Sequence, residues 1–276
     1  MLSRLTQFSK KLVQTRSFSR GTLDLPVIDI SDFVDGGKGN IHKCEELVEK
    51  LHKYGCLAIR DPRVNEDHNN EFLDMMEGYF ESRSKRFYNG DELLDEKKPE
   101  FGYQVGVTPE LVERARNHAN TIQERFHNDQ PVTPQPTPKD GKWRFFYRIG
   151  ESTADNMEVE NNLLPPQVIP KDIPDFERIM DNWGYKMRNT TYTLAEMLAL
   201  GFGWKRRALL EKLEGASNLL APTGSDLEKY NKPDDILAGF HYDLNWMTIH
   251  GKSRYPGLSV WIRDGTRMDV RVPDGC

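Results

Sequence analysis

Apolar positions along the chain change period from one region to the next. Pro26-Val27-Ile28-Asp29-Ile30 alternates with β-branched residues, as a short strand does. Ile41, Cys44, Leu47, Val48 and Leu51 then recur at helical spacing, and Gly55 follows as a left-handed C-terminal stop. Cys56 to Arg60 predicts a second strand, closed by Asp61-Pro62. Residues 65–83 predict a helix with Phe72, Met75, Met76 and Phe80 on one side. Thr108-Pro109-Glu110 has the form of a helix start with proline at its first position. Residues 128–142 hold four prolines among polar residues and predict an exposed loop, and the aromatic run Trp143 to Tyr147 predicts a strand. Pro174 opens the longest helical pattern, to about Leu200. Its buried stripe is Ile179, Trp183, Met187, Thr190, Leu194, Met197 and Leu198, and Gly201 and Gly203 end it. Beyond about residue 216 the texture turns to short strand-like runs at 217–221, 237–242, 245–250, 257–262 and 267–272. Asp264-Gly265 stands as a hairpin turn between the last two. Helices followed by a run of antiparallel strands predict an α+β fold with a sandwich or barrel core.

Composition narrows the function classes. The 276 residues carry a formal charge of −5 with no basic block in the body, so nucleic acid is not an expected partner. No apolar run approaches the roughly 20 residues of a membrane span. Three cysteines, Cys44, Cys56 and Cys276, form no C-x-x-C pair, which favours a reducing compartment over a disulfide framework. No Gly-rich phosphate loop follows a strand. The N-terminus differs from the rest. Residues 1–23 hold Arg4, Lys10, Lys11, Arg16 and Arg20, several serines and no acid, with Leu2, Leu5, Phe8 and Leu12 on one helical face. This composition reads as a mitochondrial presequence over 1–23, cut after Phe18, and predicts the mitochondrial matrix, with a disordered basic tail as the plainer alternative.

Candidate chemistry sits in two His-x-Asp triplets. His127-Asn128-Asp129 begins the Pro-rich loop and reads as surface. His241-Tyr242-Asp243 ends the apolar run Ile236 to Phe240. On an extended chain His241 and Asp243 face the same side, and an imidazole beside a carboxylate suits Fe(II). A third ligand would complete one octahedral face and leave the other open for oxygen and an organic cosubstrate. The plainer alternative is a strand-end histidine bonded to an aspartate. Thr248 and His250, on one side of the next run, are weaker candidates to face a substrate, with a strand-end His250 bonded near Gly251 as the simpler role. Arg144, Arg148 and Arg254 could bind carboxylates, but surface charge is the simpler expectation for each.

The order of landmarks resembles the 2-oxoglutarate/Fe(II)-dependent dioxygenase superfamily, in its isopenicillin N synthase-like branch. Leu25 to Ile30 is similar to the branch's opening strand, Tyr54-Gly55 and the strand at 56–60 follow, and the helix at 174–200 stands where the branch has its support helix. The core of the resemblance is His241-Tyr242-Asp243, Thr248-Ile249, Pro256-Gly257-Leu258-Ser259-Val260, Asp264-Gly265 and Val270 to Pro273. It implies a double-stranded β-helix (jelly-roll) with flanking helices. It divides the body into an N-terminal region over 24–150 and a support helix with partial core over 151–276. It implies His241 and Asp243 as metal ligands, with Fe(II), 2-oxoglutarate and O2 as cofactor and cosubstrates, and oxidation of a small molecule. Three departures stand out. The branch's second iron histidine and its Arg-x-Ser carboxylate grip fall beyond Asp274-Gly275-Cys276. The expectation is therefore a fragment lacking the last strands, with two ligands of three and little activity alone. An Asn-x-Tyr-Pro-like stretch reads Asn218-Leu219-Leu220-Ala221-Pro222-Thr223, without the tyrosine, and an Asn-His-Gly turn reads Asp61-Pro62-Arg63. An Fe(II) oxidase that does not use 2-oxoglutarate, and a non-catalytic mitochondrial scaffold retaining the fold, are the competing expectations.

Overall fold

Three small sheets and two long helices organise the chain in the computed structural model, which describes residues 21–118, 137–150, 165–232 and 235–276. Strand β2 (Val27–Asp29) leads through α1 (Ile41–Tyr54) to β3 (Ala58–Arg60), and β2 and β3 pair in parallel. Parallel neighbours need such a crossover, and a helix supplies it. Asn40 caps α1 by accepting from the His42 N–H, and Gly55 ends it at φ 77 with its N–H donated to Leu51 O. Helix α2 (Glu66–Tyr88) starts on a reciprocal cap between Asn65 and His68 and runs five residues past its sequence expectation. The Asp61-Pro62-Arg63 turn before it is pinned. Asp61 is buried, pairs with Arg63 and accepts from the Thr190 hydroxyl at 2.6 Å.

The longest helix, α3 (Phe176–Gly201), matches its predicted span and stripe. Its Leu194, Met197 and Leu198 pack with Ile28, Phe33, Cys44 and Leu47 against α1 and β2. Gly201 permits the close approach: a Cβ there would meet the Cys44 carbonyl oxygen at 2.4 Å. A second core lies between α2, α3 and a sheet of order β4-β5-β6 with β7 also on β5. These strands are β4 (Gly106–Thr108), β5 (Trp143–Ile149), β6 (Asn218–Leu220) and β7 (Thr223–Gly224). Strand β5 alternates strictly, burying Trp143, Phe145, Tyr147 and Ile149. Inside this core Arg83 is wholly buried, held by Glu96 and Asp172, with the Tyr79 hydroxyl donating to Glu96 at 2.6 Å. Burial pushes the Tyr79 phenol well up, and Glu96 beside it adds to the effect.

The third sheet has order β1-β9-β8, from β1 (Gly21–Asp24), β8 (Ser259–Trp261) and β9 (Arg267–Arg271). The predicted Asp264-Gly265 hairpin joins β8 to β9, with Gly265 at φ 86. Strand β1 runs parallel to β9, with Leu23 opposite Val270. Residues 21–23 of the expected presequence therefore belong to the folded body, whereas residues 1–20, with the expected cut after Phe18, lie outside the described residues.

Four expectations change. The runs at 237–242 and 245–250 are not strands, because no strand among the described residues pairs with them and an extended run needs a partner for its backbone groups. The mixed α and β class stands, but the described strands form three separate sheets and do not themselves trace a jelly-roll. Thr108-Pro109-Glu110 does not start a helix: Thr108 ends β4 opposite Arg144, and the chain turns at Leu111 with φ 62. The loop at 128–142 is not wholly exposed. Residues 128–136, with His127 before them, lie outside the described residues, but Thr137, Asp140 and Gly141 are buried.

Candidate metal centre

His241 and Asp243 stand side by side, Nε2 to Oδ1 at 3.5 Å, with side chains 59% and 46% exposed. The expected rigid strand wall is absent, and other contacts hold the segment. Gly239 donates its N–H to Asp140 Oδ1 at 3.0 Å in a buried bond and lies so close to Ala115 that a Cβ would meet the alanine methyl at 2.5 Å. Phe240 packs edge-on against Trp261 at 5.1 Å, and the Phe240 and Tyr242 rings both meet His118. Two residues of the ligand segment are thus clamped on either side of His241.

Each candidate donor is oriented. His241 Nδ1 lies 2.9 Å from Gly239 O; a bond to that carbonyl places the proton on Nδ1 and leaves the Nε2 lone pair turned toward Asp243. The Thr248 hydroxyl donates to Asp243 Oδ2 at 2.6 Å, which leaves Oδ1 toward His241. Thr248 thus contacts Asp243, and it is exposed on a run that is not a strand. His250 is exposed, with no hydrogen bond or ion pair among the described residues, so the expected bond near Gly251 is not made.

The pair fits two adjacent positions on an iron ion. Two donors at about 2.1 Å from one ion and at right angles lie about 3 Å apart, which a small side-chain rotation reaches from 3.5 Å. A ligating histidine commonly donates its other ring N–H to a carbonyl, as His241 does. Among the described residues no group of three or more His, Cys, Asp or Glu is placed to hold a metal. The fit is therefore to two of three protein positions.

Behind the ligand segment lies a polar cluster that sequence reasoning missed. Asp140 pairs with Lys142, Lys142 with Glu113 at 3.0 Å, and Glu113 with Arg144, whose guanidinium lies 3.8 Å over the Phe146 ring. Arg144 is half-buried and paired, not surface charge, and burial lowers its pKa. Arg148 donates to Pro165 O at 3.3 Å, and Arg254 is engaged by Asp74 and Glu77 of α2. A second hidden acid is Glu110, accepting from Tyr88, Lys229 and Tyr230. Burial works to raise its pKa, but bonds from Lys229, Tyr230 and Tyr88 outweigh it and the net shift is downward. Burial and Glu110 push the Tyr230 phenol up to about 12. The one sequence signal here was alternation in β5, which sets Arg144 on the face opposite Phe145.

No family model matches the sequence. No curated protein matches it either. Solved structures do match. A Caulobacter crescentus protein assigned to the 2OG-Fe(II) oxygenase family superposes with a TM-score of 0.64 at 17% identity, over 92% of this chain and 72% of that one. A full-length Neurospora crassa protein, crystallised in complex with alpha-KG, gives 0.55 at 17% identity over 89% and 69%. The same protein with alpha-KG and thymine gives 0.56, over 89% and 70%. The chain has the fold of these proteins. At this identity the likeness speaks for the fold, and the chemistry rests on the residues.

Proposed function

We propose that the chain is a non-haem Fe(II), 2-oxoglutarate-dependent oxidoreductase acting on a small molecule in the mitochondrial matrix. The observation that carries the proposal is the pair itself: His241 Nε2 and Asp243 Oδ1 lie 3.5 Å apart, each residue held on its other side by Gly239 O or Thr248. The shared fold supports it, since one protein with this architecture is described as a 2OG-Fe(II) oxygenase and another is crystallised with alpha-KG. In this reading His241 and Asp243 hold iron, and a third ligand comes from outside the described residues. The bound iron with O2 and 2-oxoglutarate supplies the oxidising power. The chain's own residues set the tautomer of His241, aim the carboxylate of Asp243 and keep the segment seated on Asp140 and Trp261.

One observation favours a second reading. Half-exposed ligand candidates and an incomplete set among the described residues are what a non-catalytic scaffold with this fold would show. Succinate release decides. With Fe(II), ascorbate and 2-oxoglutarate, the full-length protein, third iron ligand included, forms succinate and loses that activity in His241→Ala and Asp243→Ala. No succinate above the variants' level would overturn the oxygenase reading. Oxygen consumption dependent on His241 without succinate would mark an Fe(II) oxidase.

A further inference from the structure

One face of the β4–β5 pair holds buried polar atoms with no hydrogen-bond partner among the described residues. Strand alternation turns Arg144, Phe146 and Arg148 away from the Trp143, Phe145 and Tyr147 core. Arg144 pairs in register with Thr108 on β4 and with Thr223 on β7. Register partners on neighbouring strands share a face, so the three side chains form a polar row across the sheet. Thr108 is 1% exposed, Arg144 half-buried and Thr223 exposed, so the row leads from the interior to solvent. The Thr108 Oγ1 and Arg144 Nε atoms are both buried, and neither meets a hydrogen-bond partner among the described residues. Buried polar groups in folded proteins are paired as a rule, and an exception calls for a cause. Both can donate, so the group that satisfies them together is an acceptor.

A relay of contacts links the row to the segment that carries the candidate iron pair. Arg144 and Lys142 share Glu113, Lys142 pairs with Asp140, and Asp140 anchors Gly239, two residues before His241. Charge in this group cancels, two cations against two carboxylates. A ligand carboxylate would add a negative charge that the half-buried group does not compensate, whereas a neutral oxygen adds none.

We propose that Arg144 Nε–H and the Thr108 hydroxyl together grip a neutral carbonyl oxygen of the small-molecule substrate, of the ketone, amide or imide type, which enters past Thr223. The word substrate rests on the oxygenase reading; the grip does not, and it can be tested without iron. In the 15N-labelled chain the Arg144 Nε–H signal is identified by its loss in Arg144→Lys. It is followed while succinimide and 2-pyrrolidinone are titrated in, with succinate and acetate as charged counterparts. The signal is expected to move with the two neutral probes and to stay with the two acids. Thr108→Val is expected to weaken the neutral probes by about fivefold, the worth of one hydrogen bond. Without a probe Thr108→Val is expected to unfold at the wild-type temperature or above, because it loses only an unpaired hydroxyl. A signal unmoved by the neutral probes, or moved as far by the acids, would overturn the proposal. So would a Thr108→Val protein that unfolds well below wild type, since its hydroxyl would then already be bonded. His241→Ala should keep the full response, and its loss there would overturn the assignment to Arg144 and Thr108. Failure of iron binding with the response intact would instead remove the oxygenase reading and leave the grip standing.

Discussion

Replacing Asp140 by alanine should loosen the ligand segment from the sheet that carries it. The Asp140 side chain is 6% exposed, accepts from the Gly239 N–H at 3.0 Å and pairs with Lys142. Its removal orphans a buried backbone donor, and a hydrogen bond to a charged group contributes about 1.5–3 kcal/mol. Lys142 keeps Glu113 at 3.0 Å, so the broken ion pair adds only part of a buried pair's cost. The sum is about 3 kcal/mol. For a chain of this size each kcal/mol moves the melting temperature by roughly 2–4 °C, which gives a fall of about 6–12 °C. Asp140→Asn keeps an acceptor for Gly239 and should lose about half as much. Thermal unfolding followed by circular dichroism measures both. Fe(II) affinity measured on the folded Asp140→Ala protein should fall as well, because His241 follows Gly239 by two residues. A melting temperature within about 2 °C of wild type would refute the anchoring argument.

Gly201→Ala should destabilise despite the better helix propensity of alanine. The new methyl would press on the Cys44 carbonyl and the Val48 side chain, and overpacking of this kind costs about 1–3 kcal/mol against at most about 1 gained; a urea midpoint at or above wild type would disprove the tight α1–α3 contact. Glu110→Gln should cost about 2–3 kcal/mol at neutral pH, because the buried carboxylate that accepts from Tyr88, Lys229 and Tyr230 becomes a neutral amide. The Glu110 pKa is depressed in the fold. Its stabilisation is therefore fully present above the unfolded value near 4.5 and lost as pH falls through the lower folded value. Wild type and Glu110→Gln should thus converge in stability on acidification, and a constant gap down to acid pH would contradict this.

What could be read in advance follows from where the forces are local. Helices α1 and α3 carry their own periodicity and stops, so Cys44, Leu47, Leu194 and Leu198 were placed on their buried faces from spacing alone. The β8–β9 hairpin was legible because Asp264-Gly265 meets the backbone demands of its turn. The runs around Phe240 and Thr248 have strand composition, but strands need partners, and none among the described residues supplies one. Pro109 marked a boundary correctly and the element wrongly: cross-strand pairing to Arg144 outweighed the helix-start signal. Asp140 was invisible because its polar, Pro-rich stretch predicts exposure, and Glu113 and Glu110 because their partners lie up to 120 residues away. The His-x-Asp spacing occurs twice in the chain, and the landmarks after Asp243 singled out His241 and Asp243 as candidates; neither spacing nor landmarks pointed to Gly239 O and Thr248, which contact them.

The account stands or falls on whether His241 and Asp243 hold a metal together. Anaerobic Fe(II) titration, with Co(II) as its optical stand-in, measures this on wild type, His241→Ala, Asp243→Ala and Thr248→Val. The account predicts that either ligand variant weakens binding by about tenfold or more, the usual lower bound for loss at a metal site, and that Thr248→Val weakens it by a smaller factor. Binding of equal strength in wild type and both ligand variants would contradict it.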